Sequence, residues 1–225
     1  MVTVFNGTKK LLDYARTNEI QSVLLASSLE VYGTITNDSK PLTEEAQGFL
    51  NPMDVRSSYP MAKRAAETLC HNYAKEYGTH TKVARLAQTF GAGVTKNDNR
   101  VFAQFARSII NGEDIIMHTK GELCRCYCYT TDAIAAMLYI LLRGKDGEAY
   151  NVANETTYIS IKDMATFLAE TFNPKVKVVV ELKENMGYSP TTKLRLSTNK
   201  IQQLGWTPHY NLQEMFHRLI ESLKQ

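Results

Sequence analysis

The sequence predicts an α/β fold built on a parallel sheet, with a second, smaller mixed α/β lobe. Residues 22–26 form a short apolar run of the kind found in strands buried on both faces, and residues 81–86 (T-K-V-A-R-L) predict a second buried strand. Between them, residues 59–77 form a long helix-like stretch that ends at Gly78, a typical helix stop. Because strand, helix and strand at this spacing are typical of parallel neighbours, we expect both runs in one sheet.

The other elements of the first half follow from local signals. Apolar residues spaced as one stripe predict a helix over residues 7–16. A polar stretch that contains a proline predicts a loop over residues 37–51. Gly91 and Gly93 predict a turn directly after the second strand.

The second half alternates between helical and strand-like segments without a low-complexity linker. Asp132 is the expected N-cap of an apolar helix over residues 133–142, and Ser160 that of a helix over residues 160–172. From this alternation we expect a mixed lobe that packs on the first half. The remaining expected helices cover residues 101–110, 199–204 and 212–223, and the expected strands cover residues 114–118, 125–129, 149–153 and 176–180.

Composition excludes several classes of partner. The chain has 225 residues, is 44% hydrophobic and carries a net charge of +3, with Lys and Arg dispersed along it. Such a chain can bury a core but has no basic stripe, so we expect no nucleic-acid partner. The apolar run at residues 133–142 is much shorter than the roughly 20 residues of a membrane span. The first residues do not resemble a signal peptide, and we expect a cytoplasmic protein without a membrane partner.

The four cysteines predict structural thiols. Cys124, Cys126 and Cys128 alternate along one predicted strand, so their side chains would point to the same face and could not bridge well. Their spacing fits no common zinc site. We therefore expect neither a disulfide nor a metal site.

Three residues carry the chemistry. Ser28 directly follows the first strand, at the end of a parallel sheet where ligands bind. Tyr59 and Lys63 are one helical turn apart and share one face. A nearby ammonium favours phenolate over phenol, so Tyr59 is a candidate general base for an alcohol proton while Ser28 donates to the substrate oxygen. The alternative is that the Tyr and Lys are a chance pair and Ser28 is a turn or cap residue.

These residues also carry a family resemblance. S-S-L-E-V-Y-G at residues 27–33, followed by Tyr59-x-x-x-Lys63, resembles the extended short-chain dehydrogenases/reductases of the NAD-dependent epimerase/dehydratase family, which act on nucleotide sugars. Within that family the chain is similar to UDP-glucuronate decarboxylases. Segments that match their pattern are Asn51-Pro52 with Arg56, residues 83–91, residues 97–101 and, as wider family features, Gly7-Thr8, Tyr150-Asn151-Val152 and residues 204–208.

The resemblance implies a fold, a cofactor and a site. The fold would be the C-terminal part of a Rossmann-like sheet in residues 1–92, with a substrate-binding lobe in residues 93–225 whose helices return to it. NAD is the implied cofactor and a nucleotide sugar the implied substrate. The implied catalytic residues are Ser28, Glu30, Tyr59 and Lys63; the implied cofactor contacts are Tyr59, Lys63, Thr89 and Arg100; the implied substrate contacts are Gln88, Arg125 and Arg195.

Some of these roles have alternatives, and some positions depart from the family. Each arginine could instead form a buried ion pair, and Glu30 could be a solvated surface carboxylate. Leu29-Glu30 stands where related 4,6-dehydratases carry Asp-Glu, which disfavours water elimination. The glycine-rich turn that receives the pyrophosphate in the family does not precede Met1, so we expect an incomplete NAD site and an unpaired edge strand in this chain.

The sequence thus favours a decarboxylase that oxidises C4 of a nucleotide-bound uronate, loses carbon dioxide and reduces the resulting ketone again. Two alternatives stay open: a C4 epimerase that uses the same residues, and a truncated, non-catalytic chain that only binds a sugar nucleotide. Relatives pair through the helices that correspond to residues 7–16 and 59–77. A homodimer is therefore possible, with Leu12, Leu69 and Tyr73 either at its seam or in the core.

Overall fold

The computed structural model describes residues 1–183 and 191–225. Its strands are β1 (Val23–Ser28), β2 (Thr81–Leu86), β3 (Gln88–Phe90), β4 (Ile115–Met117), β5 (Cys124–Tyr129), β6 (Ala149–Val152), β7 (Asn154–Ser160), β8 (Val178–Val180) and β9 (Lys193–Leu194). Its helices are α1 (Val2–Thr17), α2 (Ser58–Tyr77), α3 (Val101–Asn111), α4 (Thr130–Arg143), α5 (Ile161–Phe172), α6 (Asn199–Gln202) and α7 (Leu212–Lys224). Single 3₁₀ turns cover Leu29–Tyr32 and Val55–Ser57.

The first sheet has the order β1-β2-β6, and its strands are parallel. Helix α2 connects β1 to β2, which confirms the predicted strand-helix-strand unit. The helix ends at Gly78, whose φ of +69° lies in the left-handed region that a residue with a Cβ adopts at a cost. Val83 and Ala84 in β2 are buried because helices cover both faces of the sheet: α2 lies on one side and α4 on the other.

The second lobe is mixed, as the sequence predicted. Its main sheet has the order β3-β5-β7, with β3 parallel and β7 antiparallel to β5, and β9 adds a short parallel strand to β5. Strands β4 and β8 form a separate parallel pair. Helices α3, α5 and α7 supply most of the residues of the largest core cluster. At its centre the ring of Phe90 stacks on Phe102 at 4.5 Å and packs against Phe216 at 4.9 Å.

The predicted N-cap of α4 is wrong. The helix begins at Thr130, so Asp132 lies in its first turn, where it is buried. Its Oδ2 accepts hydrogen bonds from the backbone N–H groups of His209 (2.9 Å) and Tyr210 (3.0 Å). Backbone amides far along the chain therefore bind this carboxylate, and no side-chain hydrogen bond caps α4. The predicted cap of α5 is confirmed, because Ser160 Oγ accepts the N–H of Asp163 at 3.0 Å.

Strands β3, β7 and β9 were not predicted from the sequence, and the reason is physical. Strand β7 reads N-E-T-T-Y-I-S and lacks the apolar run or alternation that signals a strand, and β3 and β9 are very short. All three are fixed by hydrogen bonds to β5, a partner distant in sequence from β7 and β9. Their conformation therefore depends on tertiary pairing rather than on local propensity.

The residues suggested for a dimer seam lie in the core instead. Leu12 is 0% exposed and Tyr73 is 7% exposed, because α1 and α2 pack on each other and on β1 and β2. Leu69 is partly buried against the same cluster. These helices leave different apolar side chains exposed, among them Leu11 and Tyr14.

Three further observations bear on the sequence predictions. Among the described residues, no helix is both long and apolar enough to cross a membrane. Cys70, Cys124, Cys126 and Cys128 are free thiols, and burial raises the pKa of Cys126 to about 11 and that of Cys128 to about 12. Strand β6 follows residue 92 yet lies in the first sheet, so strands as well as helices return to it. The domain boundary at residue 92 stays a prediction.

Candidate active site

The candidate catalytic residues converge at the carboxyl end of β1. The strand ends at Ser28 and continues into the 3₁₀ turn that carries Glu30. Helix α2 packs against both the strand and this turn, with Tyr59 and Lys63 in its first turns. Lys63 Nζ donates a 2.7 Å hydrogen bond to the backbone carbonyl oxygen of Ala26. The fold therefore brings two separate segments of the sequence to one place.

Ser28 has one of the two roles weighed for it, that of a cap residue; its donation to a substrate oxygen stays a prediction. Its backbone is extended (φ −144°, ψ 150°), and its Oγ accepts the N–H of Glu30 at 3.2 Å, so it caps the 3₁₀ turn. A hydroxyl that accepts one hydrogen bond keeps its own proton for donation. The cap thus orients the side chain while leaving the donor that substrate binding needs.

Tyr59 and Lys63 face each other as the helical spacing predicted. The Nζ atom of Lys63 lies 5.8 Å from the centroid of the Tyr59 ring. Tyr59 is 46% exposed, so its phenol is accessible to a ligand. The ammonium uses one of its three donors on Ala26 and keeps two for other acceptors.

A cavity of about 630 Å³ opens beside these residues. Glu30 and Tyr59 line it from the first sheet and α2, and Arg125 and Thr192 line it from the second lobe. The loop that precedes α2 completes the wall with Phe49 and neighbouring residues. A cavity of this volume is of the size that holds a small organic ligand.

Arg125 brings a positive charge to this cavity from the second lobe. Its guanidinium donates to Thr192 Oγ1 at 2.5 Å and to the backbone oxygen of Cys124 at 3.3 Å. Burial lowers the pKa of Arg125, and the carboxylate of Glu30 opposes that shift. Within residues 1–183 and 191–225, no carboxylate forms a salt bridge with it, so the ion-pair alternative does not hold there. A desolvated guanidinium beside a cavity is suited to an anionic ligand group.

Of the implied residues only Glu30, Tyr59 and Arg125 line this cavity, whereas Ser28, Lys63 and the others do not. Arg100 is the N-cap residue of α3 and forms a forked ion pair with Asp98, its Nη2 lying 2.5 Å from Oδ2. Thr89 Oγ1 donates to the backbone oxygen of its near neighbour Ala87 at 3.0 Å. Gln88 and Thr89 form part of β3, and Arg195 directly follows β9. Their contacts with cofactor or substrate stay predictions.

A second cavity of about 590 Å³ is lined by Leu123 and Thr191. Arg125 and Thr192, one or two residues further along the chain, line the first cavity. Val101 and Phe105 of α3 contribute apolar surface to the second cavity. The same two segments of the second lobe thus contribute residues to both cavities.

Thr192 and Phe49 lie at this cavity but are not among the site residues predicted from the sequence. Thr192 holds Arg125, yet a single threonine outside any motif gives no signal in a sequence. Phe49 is 69% exposed at the cavity wall, and a large apolar residue at the end of a polar loop was the signal that could have identified it.

Comparison with known proteins gives a consistent result. Residues 1–153 match the family model described as "NAD dependent epimerase/dehydratase family". UDP-glucuronic acid decarboxylase 5 from Arabidopsis thaliana is 30% identical over 208 residues, which cover 92% of this chain and 59% of that protein. The chain thus spans less than two thirds of the length of this relative.

Solved structures show the same fold at lower identity. UDP-glucose 4-epimerase from Thermotoga maritima superposes with a TM-score of 0.82 at 23% identity, covering 99% of this chain and 70% of that one. UDP-glucuronic acid 4-epimerase from Bacillus cereus superposes with a TM-score of 0.83 at 18% identity, covering 100% of this chain and 68% of that one. At these identities the similarity establishes the fold.

Proposed function

This chain belongs to the NAD-dependent epimerase/dehydratase family, and on that basis we propose that it serves the decarboxylation of a nucleotide-bound uronate such as UDP-glucuronate. The observation that carries this proposal is Arg125, a partly buried guanidinium in the cavity that Tyr59 and Glu30 also line. The carboxylate of the sugar would form with Arg125 the salt bridge that no carboxylate among the described residues forms. The similarity to the Arabidopsis decarboxylase supports the same substrate class.

The residues at the end of β1 have the donors that NAD requires. Lys63 keeps two N–H donors for the hydroxyls of the nicotinamide ribose, and the accessible phenol of Tyr59 is able to lie beside them. NAD, when bound, accepts a hydride from a sugar carbon and later returns it. Thr89 and Arg100 are proposed as further contacts with this cofactor.

The chain's own residues then move protons and hold the substrate. Tyr59 removes the proton of the sugar O4 hydroxyl, while Ser28 donates to the same oxygen and Lys63 stabilises the phenolate. Oxidation at C4 makes the uronate a β-keto acid. The C5–C6 bond then breaks, carbon dioxide leaves, and the electron pair passes into the C4 carbonyl as an enolate. A proton from solvent adds to C5, and the phenol of Tyr59 returns its proton to O4 as the ketone is reduced.

The second lobe holds the nucleotide part of the substrate in this proposal. Arg125 pairs with the sugar carboxylate, and Gln88 and Arg195 are proposed to lie around the sugar nucleotide. The second cavity, lined by Leu123 and Thr191, has the apolar surface that a nucleobase needs. The two ends of one ligand would thus occupy the two cavities.

The experiment is incubation of the protein with UDP-glucuronate and NAD, followed by analysis of products. A nucleotide pentose together with released carbon dioxide is the expected result. An inverted hexuronate without carbon dioxide would replace this proposal by a C4 epimerase, which would use the same Ser28, Tyr59 and Lys63. Structural neighbours named as 4-epimerases keep that second candidate in view.

A third candidate is a chain that binds a sugar nucleotide without turning it over. Calorimetric titrations with NAD and with UDP-glucuronate separate it from the two enzymes. UDP-glucuronate binding without turnover would favour the binding role. A cytoplasmic location stays part of the proposal.

We also propose that the chain forms a homodimer. Helix α1 leaves Leu11 and Tyr14 exposed by 56% and 59%, and Tyr77 at the end of α2 is 47% exposed. These side chains offer a surface that the packing of α1 on α2 does not use. Light scattering at micromolar concentration should give the mass of a dimer, and a monomer mass would count against this proposal.

A further inference from the structure

A buried polar network joins α2 to the carboxyl end of β1. On α2, Tyr59, Lys63 and Glu67 are spaced four residues apart and so lie along one face. Glu67 Oε1 accepts a 2.5 Å hydrogen bond from Ser27 Oγ, and Lys63 Nζ donates to the oxygen of Ala26 at 2.7 Å. Two successive turns of α2 are therefore attached to two successive residues of β1.

Arg85 in β2 fixes the carboxylate of Glu67. The Nη2 atom of Arg85 lies 2.7 Å from Oε2, and its Nε lies 3.1 Å from the same oxygen. Both side chains are largely buried, with 15% of Arg85 and 10% of Glu67 exposed. A forked ion pair sets the plane of the carboxylate, so Oε1 is held in place to receive the hydroxyl of Ser27.

The same arginine reaches the segment that follows Ser28. Its Nη1 donates to the phenol oxygen of Tyr32 at 3.1 Å, and that phenol donates to Asn151 Oδ1 in β6 at 2.7 Å. Tyr32 is fully buried at the end of the 3₁₀ turn that carries Glu30. The network therefore spans α2, the three strands of the first sheet and the turn beside the cavity.

We propose that Ser27 and Glu67 are a positioning pair that sets where the phenol of Tyr59 stands relative to Ser28. This inference rests on the proposed function. Lys63 alone would not fix α2, because its flexible four-carbon chain allows the helix to slide while the hydrogen bond to Ala26 persists. The short side chain of Ser27 allows no such slide, so its bond to Glu67 fixes the axial position of the helix.

The chain offers a matched control for this role. Thr81 Oγ1 donates to the backbone oxygen of Cys70 at 2.6 Å, which also attaches α2 to the first sheet. Ser27 and Thr81 are similarly buried, at 4% and 0% exposure. Cys70, however, lies further along α2, away from Tyr59. Loss of either hydroxyl weakens the attachment of α2, but only loss of Ser27 should displace Tyr59.

The test compares Ser27→Ala with Thr81→Val, which each remove one buried hydroxyl with little change of shape. We expect Ser27→Ala to lower kcat with UDP-glucuronate about tenfold or more, because small misplacements of a reacting group have such effects. KM should stay near the wild-type value, since Arg125 is untouched. Ser27→Thr keeps the hydroxyl and should restore kcat, and Thr81→Val should keep the wild-type kcat. Equal losses of kcat in Ser27→Ala and Thr81→Val would overturn the proposal.

A second measurement does not need turnover. The Cζ resonance of Tyr59, assigned with Tyr59→Phe in protein labelled with ¹³C-tyrosine, reports the surroundings of the phenol. Ser27→Ala should shift this resonance, and Thr81→Val should leave it in place. If the wild-type chain turns over no nucleotide sugar, the proposed function fails while this comparison still decides on the pair. A resonance unmoved by Ser27→Ala would refute the positioning role.

Discussion

The ammonium of Lys63 lies 2.7 Å from the backbone oxygen of Ala26, two residues before Ser28. This bond holds the Lys63 side chain against the end of β1, where its Nζ also lies 5.8 Å from the ring centroid of Tyr59. A single cation therefore links the helix that supplies the candidate base to the strand that supplies the candidate hydroxyl.

Replacement of Lys63 by methionine should abolish most turnover of UDP-glucuronate while leaving the fold intact. Loss of the cation removes the stabilisation of the Tyr59 phenolate, and general-base catalysis contributes about 10²–10⁴-fold in rate. The measurement is kcat together with the thermal midpoint. Lys75→Met on the same helix is the control, because Lys75 is exposed in the last turn, and it should keep wild-type activity. Equal activity in both variants would exclude the assigned role of Lys63.

Replacement of Arg125 by methionine should weaken binding of the uronate selectively. A hydrogen bond to a charged group contributes about 1.5–3 kcal/mol, so we expect the Kd of UDP-glucuronate to rise by roughly 10- to 150-fold. UDP-glucose lacks the carboxylate and serves as the matched ligand in the same calorimetric titration. Parallel weakening of both ligands would instead place Arg125 at the diphosphate.

Acid should destabilise the protein partly through Asp98. The hydrogen bonds from Arg100 hold the pKa of the Asp98 carboxyl below its ordinary value. A lowered folded-state pKa contributes stability at pH values above the unfolded pKa of about 4, and this contribution is lost as the pH falls through the folded value. Urea unfolding should therefore show Asp98→Asn less stable than wild type at pH 7, with the difference shrinking below about pH 4. A difference that is constant with pH would contradict the linkage.

Replacement of Asp132 by alanine should destabilise the packing of α4 and of the segment around Trp206 on the first sheet. Its buried carboxylate accepts the N–H groups of His209 and Tyr210, and a hydrogen bond to a charged group contributes about 1.5–3 kcal/mol. Trp206 Nε1 donates to the backbone oxygen of Asp132, so its fluorescence is a local probe of urea unfolding. Glu170→Gln, at an exposed position of α5, is the control and should unfold as wild type. An unchanged midpoint for Asp132→Ala would show that this carboxylate adds nothing to stability.

Local sequence signals predicted the first sheet well. The strand predicted at residues 81–86 is β2 with the same bounds, and the helix that stops at Gly78 is α2. The helix end carries its own local signal, because the left-handed conformation after the last helical residue favours glycine. Strand β7 carries no comparable signal, since β5 rather than its own composition makes it extended.

The candidate site shows the same division. The four-residue spacing of Tyr59 and Lys63 predicts their common helix face, and the apolar run before Ser28 predicts its position at a strand end. Sequence alone did not show that Arg125 faces Glu30 across a cavity, or that Arg100 is paired with Asp98. Helical periodicity acts over a few residues, whereas these pairings join segments that meet only after folding.

The amino-acid sequence by itself thus determined the parallel α/β class and the residue types able to remove a proton from an alcohol, since both follow from short-range patterns. The tertiary structure alone decided which charges remain available to a ligand. An arginine is the same cation in any sequence, and only burial and the arrangement of its neighbours leave Arg125 without a carboxylate partner among the described residues while Arg85 and Arg100 each have one.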